Sequence, residues 1–503
     1  MGKRIPIIVG VAQVAQREND PLVARAPLEL MADAIRAAVE DTQATPVLQA
    51  IDSIRVVQGM WGYTNPARML AQRFDLSGVQ TGLTSLGGNY VQSLANQSFL
   101  DIQQARNELI VLVGSECGRT QARARKSGLA LAWNPATMVP GSDPTASDGV
   151  TDRPEFFLGS NRSTRHAAEL QRGIRHPVQY YPIFETAVRY VNSESVATHL
   201  ERIAELWARF SDVATDNPDA WIRRRFSASE IAIPSSFNRL ISHPYPKLMN
   251  SNNHVDQGAA LIVTSTDFAK HLGIPEERWI YPLAATEAWD HLCVSERDNL
   301  YSSPAIRLAA SSLFEQTGLG IEDLEFVDLY SCFPSAVQIA AREIGLGLER
   351  PLTVTGGLTF AGGPWNNYVM HAIATTVDLL RTKPTEHALV TANGGLLTKH
   401  ALCLYSGTPP GADFSCNNLQ AEVDATVKRA VKVEHIGEAT IEAYTVMYGA
   451  EAAEIAHAAC LVGDGERTWA NVTDPDTVLA MTKEEYCGRT GKIDGAGNLT
   501  VFH

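Results

Sequence analysis

Short, uninterrupted apolar runs alternate with helical patterns along most of the chain. In the first half the runs are Ile7–Val11, Ile54–Gln58, Leu109–Val113 and Ala260–Thr264. In the second they are Ile280–Ala284, Phe326–Leu329, Leu352–Val354, Ala388–Thr391 and Leu402–Tyr405. Runs of this length without alternation predict strands buried on both faces, as in a parallel sheet covered by helices. Gly or Pro after several of them marks turns.

The pattern also repeats. Gly-Gly-Asn-Tyr-Val-Gln-Ser-Leu-Ala (87–95) leads through a helical stretch to Glu-Leu-Ile-Val-Leu-Val-Gly-Ser-Glu (108–116). Asn-Asn-Tyr-Val-Met-His-Ala-Ile-Ala (366–374) leads in the same way to His-Ala-Leu-Val-Thr-Ala-Asn-Gly-Gly (387–395). Asn89 and Asn367 lie 278 positions apart, and the helix starts at Pro27 and Pro304 lie 277 apart. A near-constant offset predicts two tandem copies of one α/β unit. Such a duplication brings two equivalent helix N-termini to a shared cleft, an arrangement suited to an oxyanion.

Two segments leave the pattern. Residues 119–250 open with Arg119, Arg123, Arg125 and Lys126, carry Trp207, Trp221 and Arg223–Arg225, and predict helices near Tyr181–Val191 and Val196–Phe210. This insertion is either a solvated cover or a lid that receives a phosphorylated ligand. From about residue 416, Val431–Val446 and Ile455–Val462 alternate as strands do, Gly463-Asp464-Gly465 signals a hairpin, and Asp474–Glu485 reads as a helix. The expected organisation is an N-terminal unit (1–118 and 251–266), a loop domain (119–250), a C-terminal unit (267–415) and a small β-rich domain (416–503) with a packing or interaction role.

Composition narrows the function classes. The 503 residues suffice for two to four domains, and 45% hydrophobic with 19% charged residues is a globular balance. A formal net charge of −14 argues against a general nucleic-acid role. The seven cysteines form no CxxC pair, which fits free thiols in a reducing cytoplasm and offers no zinc site. The N-terminus imitates a signal peptide, but its apolar run is short and holds Pro6 and Gly10, so it is read as the first strand. No run approaches the ~18 apolar residues that span a bilayer.

Five motifs occur in order: Val-Gly-Ser-Glu (113–116), Val-Asp-Gln-Gly-Ala-Ala-Leu (255–261), Asp-Leu-Tyr-Ser-Cys-Phe (328–333), Gly-Gly-Leu-Thr-Phe-Ala-Gly-Gly-Pro (356–364) and Ala-Asn-Gly-Gly (392–395). With them the whole chain resembles the thiolase superfamily. The best match is to thiolase-like proteins type 1, related to sterol carrier protein thiolases and carrying an additional C-terminal domain. The resemblance implies a duplicated α/β/α layered fold, coenzyme A or acyl-CoA as substrate or ligand, and no metal. It also implies a monomer or homodimer, with a partner subunit conceivable, and Claisen or thiolytic chemistry at an acylated cysteine.

The reacting positions of that family are changed here. Its nucleophile falls on Gly87, or on Leu86 or Gly88 if the register slips by one. Its Gly-His-Pro histidine becomes Gly363, its second cysteine becomes Ala392, and its third motif opens on Tyr330. Thiolysis through an acyl-cysteine is therefore not expected. The emptied cysteine position is expected to enlarge the pocket. Asn89 and Asn367 read as caps of the helices that follow, or, with flanking glycines, as parts of a site for a thioester oxygen. Asn393 adds an amide. Tyr330 ends a strand in this reading and serves as acid/base if its pKa is lowered, as in the carbon–carbon lyases of the superfamily. Cys332, His371 and His400 read as packed residues. By resemblance Asn253 meets the pantetheine arm, and Arg223 and Arg224 lie where the nucleotide would. Two functions follow: an enzyme acting on a carbon–carbon bond of a CoA thioester without a cysteine nucleophile, or a silent acyl-CoA binding protein.

Overall fold

The computed structural model describes residues 4–131, 133, 152–160, 162–450 and 452–502. The duplication is plain in the strand order. One sheet runs Pro6–Ala15, Asp256–Ser265, Leu109–Cys117, Ser53–Val56, Gln80–Thr84, Phe156–Leu158. The other runs Cys416–Asn418, Tyr281–Trp289, Lys399–Ser406, His387–Gly394, Leu324–Asp328. The four strands from Tyr281–Trp289 to Leu324–Asp328 repeat the first four of the other sheet in the same spatial order. Helix Pro27–Asp41 corresponds to Pro304–Thr317, and Tyr90–Gln103 to Tyr368–Thr382.

The sheets are mixed, a correction to the parallel expectation. Asp256–Ser265 is antiparallel to both its neighbours, and Lys399–Ser406 likewise. In the second copy the cause is a tight connection: Gly395 and Leu397 take φ of +70° and +55°, turning the chain back on His387–Gly394. The apolar runs could not reveal this, because strands covered on both faces read alike in either direction.

Leu352–Val354 is not a strand. Leu352 only accepts one bond, from the Leu329 N–H. The Asp328 carboxylate then takes the Thr353 hydroxyl and the Val354 N–H, bending the chain toward Gly356, whose φ is +99°. Cys416–Asn418 instead extends the opposite edge of that sheet.

The two central helices, Tyr90–Gln103 and Tyr368–Thr382, each touch both sheets. Eleven of the fourteen residues of the first are buried, which is what a helix enclosed on all sides requires. Its polar residues find partners inside: Gln92 Nε2 donates to the Tyr405 hydroxyl at 2.8 Å and Asn96 Nδ2 to Glu287 at 3.1 Å.

The insertion supplies helices Pro177–Val191 and Val196–Asp216. The C-terminal sheet (Glu466–Val472, Ala453–Val462, Gly437–Tyr448, Thr490–Ile493, Leu499–Val501) packs on the first of them. Thr186 Oγ1 donates to the Tyr444 carbonyl at 2.8 Å, and the buried Arg189 pairs with Glu485 at 2.9 Å. Asp474 caps Pro475–Ala480 by accepting from the Thr477 N–H. Among the described residues no helix is long and apolar enough to cross a membrane, and no cluster of His, Cys, Asp or Glu suits a metal ion.

Candidate active site

Around Gly87 and Gly88, where the resemblance implies an emptied nucleophile position, the space is filled. A Cβ built on Gly88 would lie 2.4 Å from Tyr330 Oη and 2.5 Å from the Asn393 carbonyl oxygen. One built on Gly87 would lie 2.7 Å from Asn89 Oδ1 and 3.0 Å from the Tyr90 ring. The missing side chain has therefore not enlarged the pocket. The Tyr330 phenol and the Asn89 amide occupy the space, and glycine is required because they do.

Tyr330 lies beyond strand Leu324–Asp328, in the loop before helix Pro334–Ile344, so neither it nor Cys332 belongs to a strand. Its backbone N–H is held by Thr391 Oγ1 at 2.9 Å, and its ring meets Tyr368 edge-on. Burial and the neighbouring Cys332 push the Tyr330 hydroxyl well above the usual phenol range. A phenol activated by a lowered pKa is not what the structure holds; this one keeps its proton. Burial also pushes the Cys332 thiol up to about 12, which leaves it a poor nucleophile.

Asn393 closes the same corner. Its Nδ2 donates to the Tyr181 hydroxyl at 3.0 Å, and Tyr181 also accepts from the Leu397 N–H at 3.0 Å. Tyr181 comes from the insertion, so that segment forms a wall of the site. The Asn393 Oδ1 is buried without a partner.

Neither asparagine caps its helix. Asn89 stands at the N-cap position with its side chain turned to the second copy, its Oδ1 against Gly394, and both amide atoms buried and unpaired. Asn367 is turned to the first copy, where its Nδ2 donates to the Gly114 carbonyl at 2.9 Å. Tertiary contacts took both amides from the local role that an Asn before a helix suggests.

Gly363 and Asn253 adjoin: a Cβ on Gly363 would meet Asn253 Oδ1 at 3.0 Å and Ser251 Cβ at 3.3 Å. Ser251 Oγ in turn donates to the Cys332 carbonyl at 3.0 Å, tying this loop to the Tyr330 loop. Arg223 and Arg224 are exposed. Arg224 is paired with Glu230 and stacked on Phe226, while Arg223 reaches the Thr215 carbonyl at 3.4 Å. They follow Trp221 and Ile222, whose N–H groups bond Ala361 and Phe360 beside the Gly362–Gly363 turn.

A narrow cleft runs from this corner between helices Pro304–Thr317 and Pro334–Ile344. Tyr330, Asn393 and His400 line it with Ile306, Ala336 and Leu402. Asn89, Asn253, Gly363, Asn367 and the two arginines do not. His400 is the cross-strand partner of Asn393. Its Nε2 lies 3.4 Å from Asp290 Oδ2. Asp290 accepts from the Ala305 N–H at 3.0 Å at the start of helix Pro304–Thr317. Burial opposes its charge, yet His400, the Arg297 guanidinium and Ser303 hold its carboxyl below the usual range. A further cation, Lys399, sits between the rings of Trp289 and Tyr90 at 4.6 and 5.2 Å and donates to the Ser160 carbonyl at 3.2 Å. Burial and Arg162 lower it to about 8. Tyr181, Asp290 and Lys399 carried no signal in the sequence, since each acquires its role from a partner far along the chain.

Comparison with known proteins agrees with this architecture. The family description "Thiolase-like protein type 1 additional C-terminal domain" matches residues 418–498. The Steroid side-chain-cleaving aldolase of Thermomonospora curvata is 28% identical over 275 residues, covering 50% of this chain and 66% of the aldolase. The match thus spans just under two thirds of that relative. Two solved structures share the fold at low identity: the Ltp2-ChsH2(DUF35) aldolase (19% identity, TM-score 0.59, 80% of this chain and 98% of that one) and an acetyl-CoA acetyltransferase from Syntrophomonas wolfei (14%, 0.56, 81% and 100%). A monomeric SCP2-thiolase like protein type 1 from Mycobacterium smegmatis is 30% identical, covers 100% of this chain and 99% of its own, and superposes with a TM-score of 0.82. On that full-length likeness and the matching C-terminal domain, this chain belongs to the thiolase-like proteins type 1.

Proposed function

We propose that this protein binds a coenzyme A thioester and makes or breaks a carbon–carbon bond in it without a cysteine nucleophile. The observation that carries the reading is the space beside Gly88, one residue from the position where the resemblance puts the family's nucleophile: a Cβ there would lie 2.4 Å from Tyr330 Oη. A protonated tyrosine there cannot be acylated as a thiolate would be, but it can hold or protonate an enolate beside the thioester. The likeness to an aldolase over half the chain supports the same direction. Asn393 holds the corner together with Tyr181.

The test mixes pure protein with saturated, 3-hydroxy and 3-keto acyl-CoA thioesters, with and without free coenzyme A, and follows every thioester by mass spectrometry. Conversion of a 3-hydroxy ester to a shorter thioester plus a carbonyl compound is expected. Tyr330→Phe should lower that turnover at least ~100-fold, the scale of a lost general acid; full activity in the variant would refute the assignment. The reactive positions changed to glycine, alanine and tyrosine favour a second reading, a silent acyl-CoA binder, which binding without turnover in any species would establish.

A further inference from the structure

The lyase reading leaves one chemical requirement unmet. Cleaving the C2–C3 bond of a 3-hydroxyacyl thioester needs an acid near C2 and a base at the 3-hydroxyl. Tyr330 keeps its proton and suits the first task only.

His400 stands where the second is needed. It lines the same cleft as Tyr330, one strand over from Asn393, so that the Asn393 corner lies between the phenol and the imidazole. Its Nε2 edge is turned to Asp290 at 3.4 Å. Nε2 makes no hydrogen bond at that distance; a bond to the carboxylate formed with substrate in place would put the ring proton on Nε2 and leave Nδ1 with the lone pair. Asp290 is itself fixed by the Ser303 hydroxyl and the Ala305 N–H and is flanked by the buried Arg297. The Asp290–His400 separation is long for a charge-assisted bond, as is common before substrate tightens such a contact.

We infer that His400, oriented by Asp290, is the base that takes the 3-hydroxyl proton of a 3-hydroxyacyl-CoA. The step balances within the site. The O–H proton passes to His400, the C–O bond becomes a carbonyl, and the C2–C3 electron pair becomes the enolate of the shortened thioester. Tyr330 then gives its proton to C2, and the imidazolium restores the phenol, directly or through water. His400 is the catalytic residue and Asp290 a positioning residue. Ile306, Ala336 and Leu402 give the cleft its apolar lining.

This inference rests on the lyase reading, and one experiment separates their failures. Full-length wild type, His400→Gln, His400→Ala and Asp290→Asn are assayed with the 3-hydroxyacyl-CoA panel, each after its thermal midpoint has been compared with wild type. His400→Gln should lose at least ~100-fold in kcat, with KM within threefold. His400→Ala should regain activity in added imidazole, a rescue that a merely structural histidine would not show. Asp290→Asn should lose kcat at unchanged KM. Turnover by His400→Gln within threefold of wild type, or a folded His400→Ala that imidazole does not rescue, would overturn the assignment and leave the lyase reading standing. Wild type inactive on every 3-hydroxy ester would overturn both.

Discussion

Single residues set the character of this site through what they exclude. A Cβ at Gly88 would meet both the Tyr330 hydroxyl and the Asn393 carbonyl, so Gly88→Ala forces backbone as well as side chain to move. Overpacking of this kind costs about 1–3 kcal/mol, and the denaturant midpoint should fall accordingly. A variant as stable as wild type would mean that the Tyr330 loop yields easily. Glu116 gives a second prediction, one with a pH signature. It is fully buried, accepts from the Met60 N–H at 2.8 Å through one oxygen, and has no partner for the other. Burial raises it to about 8. The native state thus holds a proton that the unfolded chain releases between pH ~4.5 and ~8, so its contribution to stability falls as pH rises through that window. Glu116→Gln should match wild type near pH 4.5 and be more stable by about 2 kcal/mol or more at pH 9, read as the difference in thermal midpoints across pH. A gain that does not change with pH would rule out the buried proton.

At the scale of elements, Asp328 shows how one carboxylate decides between strand and turn. It ends strand Leu324–Asp328 and accepts from Thr353 Oγ1 at 2.9 Å, the Val354 N–H at 3.0 Å and the Tyr368 hydroxyl at 3.0 Å. It thereby bends residues 353–356 and anchors the first residue of the second central helix. Asp328→Ala would strand buried donors at a cost of about 3 kcal/mol or more, and Asp328→Asn should cost less; equal and small losses in urea unfolding would contradict the bridging role. The same element shows what the sequence could convey. Helix starts at Pro27 and Pro304 were legible because proline and the spacing are local signals, and the two-copy plan followed from them. The fate of Leu352–Val354 was not, because an apolar triplet carries no record of a carboxylate across the turn. Site residues divide in the same way. Motif order pointed to Gly87 and Gly363, and its motif to Tyr330. That Tyr330 fills the gap at Gly88, that Asn89 and Asn367 abandon capping, and that His400 faces Asp290 all depend on side-chain contacts between distant segments.

At the scale of the whole molecule, the insertion covers one edge of the first sheet. Gln80–Thr84 would be the outer strand of the first sheet, with its N–H and C=O groups open to another chain. Here Phe156–Leu158, part of the insertion, pairs with it in parallel, Leu83 opposite Phe157, and the Ser85 N–H donates to the Leu158 carbonyl at 2.8 Å. The insertion is held in turn by the C-terminal sheet through Arg189 and Glu485 and through Arg172, whose Nε donates to the Trp469 carbonyl at 3.0 Å. The added domain therefore braces the segment that shields the edge and also delivers Tyr181 to the site. Light scattering at tens of micromolar should give one species near 54.6 kDa. Leu158→Pro, at the residue whose backbone faces Gln80–Thr84, removes a ladder donor and should loosen the shielding strand. Since the uncovered Gln80–Thr84 then offers a free pairing edge, the variant should self-associate as concentration rises, while its far-ultraviolet circular dichroism stays close to that of wild type. A variant that remains monomeric at every concentration would show that the shield is redundant, and a wild type already dimeric would show that association uses another face.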